Sequence, residues 1–489
     1  MTELQTRVDR SAAWVALASV VLGVLDVVST LLCLRLWVST ADFGAATLAI
    51  ALFPILDRVG GMGLGAAVVR EPDPGAEALS SIFWLGIAVS TAVLGVLLLA
   101  RSWIGAWFPD PVVGSLLAAY GGRLVMQQIS MVPEALMKRE LRYRELSMIR
   151  VAASLVETTT KLGLAYLGAH GVAELAIWCF ALGPIANTVV TAAGVQLRQP
   201  WRPRLTCRRA IAARAARFTA ALSGGELLYF AYTSADYLVI GARFGNAAVG
   251  VYRLAYELVL DVVRLLSMVT AEVAFPAFAR LSADGRAVAA HLVRFTRQNL
   301  IVLAAFLVFV AIEADDLLAL LYPPLPPSAA TAARVLCIVG ALRTLGFILP
   351  AMLAGLGEAR RVFAYHLVAA IVLPAGFMIA ARIAPDKGFV AVAWAWAAGY
   401  PVAFGVLLAM ALPRAAVPVV AYLRAIGGVA TCAAGALAAG LALRAVVGEA
   451  PAVRALAVAV VVALGYLALL ARFERITPAA IVRSLRARA

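Results

Sequence analysis

Residues 234–258 read SADYLVIGARFGNAAVGVYRLAYEL and join two long apolar runs across a break of only a few residues. The runs on either side, 218–240 and 247–275, are each long enough to cross a bilayer. An α-helix needs about 20 residues to span about 30 Å of hydrocarbon. Two such runs with a short break predict adjacent transmembrane helices of opposite direction.

The rest of the chain continues this pattern. Hydrophobic residues make up 63% of the 489 residues and charged residues 14%, and the mean hydropathy is +0.93. Soluble domains contain about 45–50% apolar and about 25% charged residues, so this composition excludes a water-soluble surface. We predict an all-α integral membrane protein with about fourteen transmembrane helices, the other twelve being 12–34, 43–68, 79–100, 112–137, 148–168, 172–197, 299–321, 331–356, 362–382, 388–412, 419–443 and 453–472.

The distribution of Lys and Arg predicts the orientation of these helices. Of the 42 basic residues, 28 fall in the termini and loops of one side and 7 in the loops of the other. Basic residues collect in cytoplasmic loops, so we expect both termini in the cytoplasm. The net charge of +15 then reflects topology, and we expect no binding to nucleic acid.

Loop lengths and cysteine spacing argue against an enzyme and against a metal site. The longest connections, 198–217 and 276–298, are too short for a folded domain. The five cysteines are scattered and lack the spacing of metal ligands. We expect no catalytic residues, no metal and no cofactor.

An internal repeat divides the chain. The hairpin LWVSTADFGAATLAI (36–50) resembles ARFGNAAVGVYRLAY (242–256), with Gly44 aligned on Gly250 at an offset of 206 residues. The same offset carries Arg58 onto Arg264. A repeat after six helices keeps its orientation in the membrane, and transporters built in this way carry substrate between their two halves.

The repeat predicts the domain organisation. Residues 1–197 form an N-lobe of six helices, and residues 218–412 form a C-lobe of six more. Residues 198–217 are a cytoplasmic linker between the lobes, and residues 413–489 contain two further helices and a cytoplasmic tail.

Charged residues inside the predicted helices are candidates for a substrate site. A charge at the bilayer centre costs roughly 2.5–3.5 kcal/mol, so it usually faces a cavity or a partner. Cations that recur in both halves predict an anionic substrate, since arginine binds phosphate through two parallel hydrogen bonds. The candidates are Arg58, Arg123, Arg253, Arg264 and Arg343.

Other buried charges are candidates for ion coupling or counter-charge. They are Asp26, Glu157, Lys161, Asp236, Glu257 and Asp261. Arg253, Glu257, Asp261 and Arg264 share one face of the eighth predicted helix. The alternative is structural pairing: Glu157 with Lys161, Arg253 with Glu257, and Asp261 with Arg264.

Four motifs resemble those of polysaccharide flippases of the Wzx type. They are MVPEALMKRELRYRELS (131–147), HGVAELAIW (170–178), the stretch at 234–258 and FPAFARLSADGRAVAAHLVR (275–294). Ala173 stands where this family usually has glycine. The family belongs to the superfamily of multidrug, oligosaccharidyl-lipid and polysaccharide transporters.

The resemblance implies two pseudo-symmetric six-helix lobes arranged in a V, plus two C-terminal helices. It implies a flippase that moves undecaprenyl-diphosphate-linked oligosaccharide repeat units across the bacterial inner membrane by alternating access. This step serves lipopolysaccharide or exopolysaccharide biosynthesis, and the arginines of the lumen would hold the diphosphate. The expected partners are this lipid-linked substrate, the lipid bilayer, and a polysaccharide polymerase and chain-length proteins; we expect a monomer.

Two alternatives stay open. One is a cation-coupled multidrug antiporter of the same fold, which would have a lumen dominated by acidic residues. The other is a membrane enzyme such as a polysaccharide polymerase, against which the short outer loops argue.

Overall fold

The computed structural model describes residues 3–61, 63–70, 75–108, 110–448 and 450–474, and in these ranges every regular element is a helix. The predicted all-α class is confirmed. The α-helices are α1 (Glu3–Leu36), α2 (Thr40–Gly61), α3 (Leu64–Arg70), α4 (Ala76–Gly105), α5 (Val112–Arg139), α6 (Tyr143–His170), α7 (Glu174–Arg198), α8 (Arg209–Phe244), α9 (Asn246–Tyr256), α10 (Val262–Leu281), α11 (Gly285–Leu321), α12 (Pro327–Gly346), α13 (Ile348–Gly355), α14 (Ala359–Ile383), α15 (Phe389–Ala411), α16 (Val419–Val446) and α17 (Pro451–Phe473).

Short irregular helices interrupt or extend this series. A π-helical turn, Glu257–Asp261, connects α9 to α10. Two 3₁₀ turns, Pro385–Lys387 and Leu412–Ala415, lie on either side of α15. The predicted run 43–68 is divided into α2 and α3, with Gly63 at φ +61° in the break, a conformation that favours glycine.

Each of the fourteen apolar runs coincides with one helix or with a chain of consecutive helices. Among the described residues, 9 helical segments are apolar and long enough to cross a membrane. Others, such as α6 with Glu157 and Lys161, carry more polar side chains. The number of fourteen crossings therefore stays a prediction.

Large apolar side chains are exposed along the outer faces of the helices. On α4, Val96 is 64% and Leu99 87% exposed, and on α17 Leu464 is 63% exposed. Exposing so much apolar surface to water would be unfavourable, whereas contact with lipid tails carries no such cost. These faces fit a protein that lies within the bilayer.

The chain forms two compact units, residues 1–250 and 251–489. In the first, α6 packs on α1 and α7, α5 packs on α2, α4 and α7, and α2 also contacts α8. This unit therefore includes α8, which belongs to the predicted C-lobe. The lobe boundaries themselves stay a prediction.

The second unit is organised around α11. This helix contacts α12, α16 and α17, while α15 packs on α12 and α14. Asp284 caps the start of α11, because its carboxylate accepts hydrogen bonds from the backbone N–H groups of Arg286 and Ala287. The two predicted C-terminal helices, α16 and α17, thus pack on α11; residues 475–489 of the predicted tail lie outside the described residues.

Candidate functional site

A cavity of about 630 Å³ opens among α2, α3, α5 and α7 of the first unit. Arg58, Arg123 and Lys138 are its cationic lining residues, and Asp57 and Glu134 its acidic ones. Two of the five arginines predicted to bind substrate, Arg58 and Arg123, therefore share one cavity.

Arg123 on α5 is positioned by neutral groups. Its Nε donates a hydrogen bond to Thr188 Oγ1 at 3.0 Å, and its guanidinium carbon lies 4.6 Å from the centre of the Phe53 ring. Asp57 and Glu157 interact with Arg123 electrostatically, but within the described residues neither forms an ion pair with it. In the same part of the chain no acceptor bonds its two Nη atoms, which leaves donors for a ligand oxygen.

Arg58 on α2 forms its ion pair with Glu226 of α8 and not with Asp57, its neighbour in the sequence. Its Nε lies 3.0 Å from Glu226 Oε2 on α8. The side chains are 33% and 54% exposed, so the pair is accessible and solvent screening weakens it. The pair links α2 to α8.

Three further charged residues line the cavity and are not among the site residues predicted from the sequence: Asp57, Glu134 and Lys138. Glu134 lies 3.0 Å from Lys138 Nζ and 2.6 Å from Arg150 Nη2, which forms an ion-pair cluster on α5 and α6. Asp57 has no ion pair in the part of the chain that the structure describes.

Neutral polar side chains line the cavity beside these charges. The Oε1 atoms of Gln127 and Gln128 are buried and have no hydrogen-bond partner among the described residues. Asn187 and Thr188 on α7 also line the cavity. The only sequence signal for them is the presence of polar residues within apolar runs.

Lys161 pairs with α1 instead of with its own helix. Its Nζ lies 2.9 Å from Asp26 Oδ1 and also donates to Ser29 Oγ and Thr30 Oγ1, at 3.3 and 3.1 Å. The predicted pairing of Lys161 with Glu157 is therefore wrong. Because α6 packs on α1, the buried lysine finds three acceptors there that its own helix does not offer.

Glu157 has a different partner. Its Oε2 accepts a hydrogen bond from Asn187 Nδ2 at 2.9 Å, and Asn187 lines the cavity. This carboxylate thus lies next to the cavity wall and interacts with Arg123 through space.

The four charges around the π-helical turn contact one another. Arg253 Nε lies 2.7 Å from Glu257 Oε1, and Arg253 Nη2 lies 3.1 Å from Asp261 Oδ2. Arg264 Nε lies 3.3 Å from Asp261 Oδ1. The predicted pairings of Arg253 with Glu257 and of Asp261 with Arg264 are confirmed. All four residues belong to the second unit, and none of them lines the cavity of the first.

Arg343 and Asp236 are buried inside their units. Arg343 is 3% exposed, donates to the Tyr256 hydroxyl at 3.0 Å and lies 5.5 Å from the Trp396 ring centre. Asp236 on α8 is 0% exposed and accepts a hydrogen bond from the backbone N–H of Tyr237 at 2.8 Å. Neither residue lines the cavity described above.

Sequence comparison identifies relatives. A family described as polysaccharide biosynthesis protein matches residues 34–323, more than half of the chain. The lipopolysaccharide biosynthesis protein WzxC of Escherichia coli (strain K12) is 23% identical over 349 residues, which cover 70% of this chain and 69% of that protein. The teichuronic acid biosynthesis protein TuaB of Bacillus subtilis (strain 168) is 22% identical over 350 residues, covering 69% and 68%.

Structural comparison identifies the fold. The lipid II flippase MurJ in an inward closed conformation superimposes with a TM-score of 0.72 at 12% identity, covering 95% of this chain and 98% of that one. An inward-facing multidrug resistance transporter of the MATE family gives a TM-score of 0.65 at 14% identity, covering 81% and 94%. Family and fold are those of membrane transporters, not of enzymes. The resemblance to polysaccharide flippases is thereby confirmed, and the chain belongs to the polysaccharide biosynthesis protein family.

Proposed function

We propose that this protein moves undecaprenyl-diphosphate-linked oligosaccharide repeat units from the cytoplasmic to the outer leaflet of the bacterial inner membrane. It does so by alternating access and serves lipopolysaccharide or exopolysaccharide synthesis. Membership of the polysaccharide biosynthesis family supports the substrate class, and the MurJ-like fold supports a transport cycle.

The observation that carries this proposal is the environment of Arg123. Its guanidinium lines the cavity and is held by Thr188 and Phe53, and within the described ranges no acceptor bonds either Nη group. A diphosphate offers oxygens that match this planar donor pair, and arginine stays charged in an apolar setting. Arg123 would therefore bind the diphosphate first, with Arg58 joining it after release from Glu226.

The remaining predicted residues receive secondary roles in this proposal. Arg253, Arg264 and Arg343 would act in other steps of the cycle, since each already has a partner in this conformation. Asp26, Glu157, Lys161, Asp236, Glu257 and Asp261 would supply counter-charge or couple an ion. Both termini would lie in the cytoplasm, and the protein would act as a monomer beside a polymerase and chain-length proteins.

A second candidate is cation-coupled drug export, and Asp57 is the observation that favours it. Its carboxylate lines the same cavity and has no ion pair among the described residues. A cationic drug or a coupling cation would bind such a group. If export is the function, Asp57→Asn should abolish it while Arg123→Ala leaves it intact.

The proposal is tested by complementation of a flippase-deficient strain. Arg123→Ala and Arg58→Ala should abolish surface polysaccharide while the protein still reaches the membrane, and Arg123→Lys should restore only part of it. Arg382→Ala is the matched control, because this arginine is exposed in the last turn of α14 and does not line the cavity. Normal polysaccharide in the Arg123→Ala strain would contradict the proposal.

A further inference from the structure

The connection between α7 and α8 is held against α4 by hydrogen bonds. The backbone N–H groups of Arg204 and Arg208 donate to the hydroxyls of Ser80 and Ser81, each at 2.9 Å. The indole N–H of Trp84 donates to the carbonyl oxygen of Arg204 at 2.8 Å. We call residues 199–209 the basic strap.

The outer surface of the basic strap is cationic. Arg202, Arg204 and Arg209 are exposed, and among the described residues none of the three has an ion pair. Arg208, by contrast, pairs with Glu77 at 2.8 Å. The three remaining guanidinium groups therefore form a positive array on a backbone that is already ordered.

An apolar side chain lies within this array. Leu205 is 91% exposed between the exposed arginines. On the inner side of the strap, Trp201 packs against Phe83 with ring centres 5.4 Å apart, as part of an apolar cluster that includes Leu64 of the cavity wall. The strap is thus anchored from within and presents cations and a leucine outwards.

We propose that the basic strap binds the headgroups of anionic phospholipids. Basic segments at a membrane surface attract anionic lipids, and a guanidinium matches a phosphate through two hydrogen bonds. An exposed leucine among the cations suits insertion at the level of the headgroups. Because the backbone is already fixed on α4, binding costs less conformational entropy than it would for a mobile loop.

The test measures binding of single lipids to the full chain, purified in a mild detergent, by native mass spectrometry. The probes are short-chain phosphatidylglycerol and phosphatidylcholine. The wild type should prefer phosphatidylglycerol. The triple variant Arg202→Gln, Arg204→Gln, Arg209→Gln should bind it about tenfold more weakly, since each arginine near the surface contributes to the attraction. No preference in the wild type would overturn the proposal and would favour an acidic protein as the partner.

Two further variants separate the strap from general positive charge. Arg280→Gln, Arg286→Gln, Arg294→Gln removes the same charge from exposed positions elsewhere and should leave the affinity unchanged. An equal loss in this control would overturn the assignment to the strap. Ser80→Ala, Ser81→Ala keeps every charge but releases the backbone, and should weaken binding several-fold; wild-type affinity there would contradict the role of the fixed backbone.

Discussion

Gly44 of α2 and Gly250 of α9 meet through their backbones. A Cβ atom on Gly44 would overlap the carbonyl oxygen of Asn246, and one on Gly250 would overlap that of Thr40. The offset of 206 residues that aligns Gly44 with Gly250 also aligns Thr40 with Asn246. The contact is therefore reciprocal, as a two-fold relation between the two hairpins requires.

This contact predicts that alanine is poorly tolerated at either glycine. Gly44→Ala and Gly250→Ala should each lower the free energy of unfolding by about 1–3 kcal/mol, because backbone atoms cannot move aside as a side chain can. The measurement is the midpoint of thermal unfolding in detergent. Gly376→Ala on α14 is the control, since a Cβ there meets no atom within 4 Å, and it should be neutral or stabilising. Equal stability of Gly44→Ala and Gly376→Ala would refute the contact.

The link between α1 and α6 gives a second prediction. Asp26→Asn should destabilise the protein by about 1 kcal/mol, because it leaves the charge of Lys161 buried with only hydroxyl partners; the 68% exposure of Asp26 limits the cost. Adding Lys161→Met should recover most of this loss. Thermal unfolding of the two single variants and the double variant measures the coupling. Additive losses would show that the two residues do not interact.

Much of the fold could be predicted because hydrophobic runs report directly on helices in a bilayer. The breaks within the helices are harder to predict, because they leave the pattern of apolar residues unchanged. Examples are Gly63 between α2 and α3 and the π-helical turn at Glu257–Asp261. A run of apolar residues fixes the length of a segment, whereas local backbone geometry depends on packing from other helices.

The charged lining of the cavity is predictable in part. Arg58 and Arg123 stand out in the sequence because a charge within an apolar run is costly and usually faces a cavity or a partner. The partners of the charged residues cannot be predicted in the same way, because the sequence suggests pairs only between near neighbours. Lys161 lies 135 residues from its partner Asp26, and Arg343 lies 87 residues from Tyr256. The sequence alone does not say which face of a helix meets a cavity, so it does not predict that Arg343 contacts Tyr256 and Trp396 and does not line the cavity described above.

The ion pair between Arg142 and Glu145 at the start of α6 should make the stability of the protein depend on pH. Arg142 donates to both carboxylate oxygens of Glu145, at 2.8 and 2.9 Å, and these hydrogen bonds hold the pKa of Glu145 below its usual range. A lowered folded-state pKa means that the stabilisation is complete above the unfolded value of about 4.3 and is lost as the pH falls through the folded value.

Thermal unfolding between about pH 7 and pH 3 measures this effect. The wild type should lose about 1 kcal/mol more than Glu145→Gln over this range, because the variant has no carboxylate to protonate. Parallel curves for the two proteins would show that the Arg142–Glu145 pair contributes nothing to the pH dependence.

The predicted orientation can be examined with reporter fusions. Fusions after Gly105 and Pro324 should report an external location, and fusions after Arg204 an internal one, because basic residues concentrate on the side of Arg204. The readout is a pair of enzymes that are active on opposite sides of the membrane. Activity of the internal reporter at Gly105 would reverse the assigned topology.

The central claim is that Arg123 binds the diphosphate of the lipid-linked substrate. Its most direct test is binding of undecaprenyl diphosphate to the purified protein, compared between the wild type and Arg123→Ala, with Arg382→Ala as the control. We predict that Arg123→Ala weakens binding at least about tenfold, which corresponds to about 1.4 kcal/mol for the loss of a charge-assisted contact, while the control binds as the wild type does. Equal affinity of Arg123→Ala and the wild type would contradict the account.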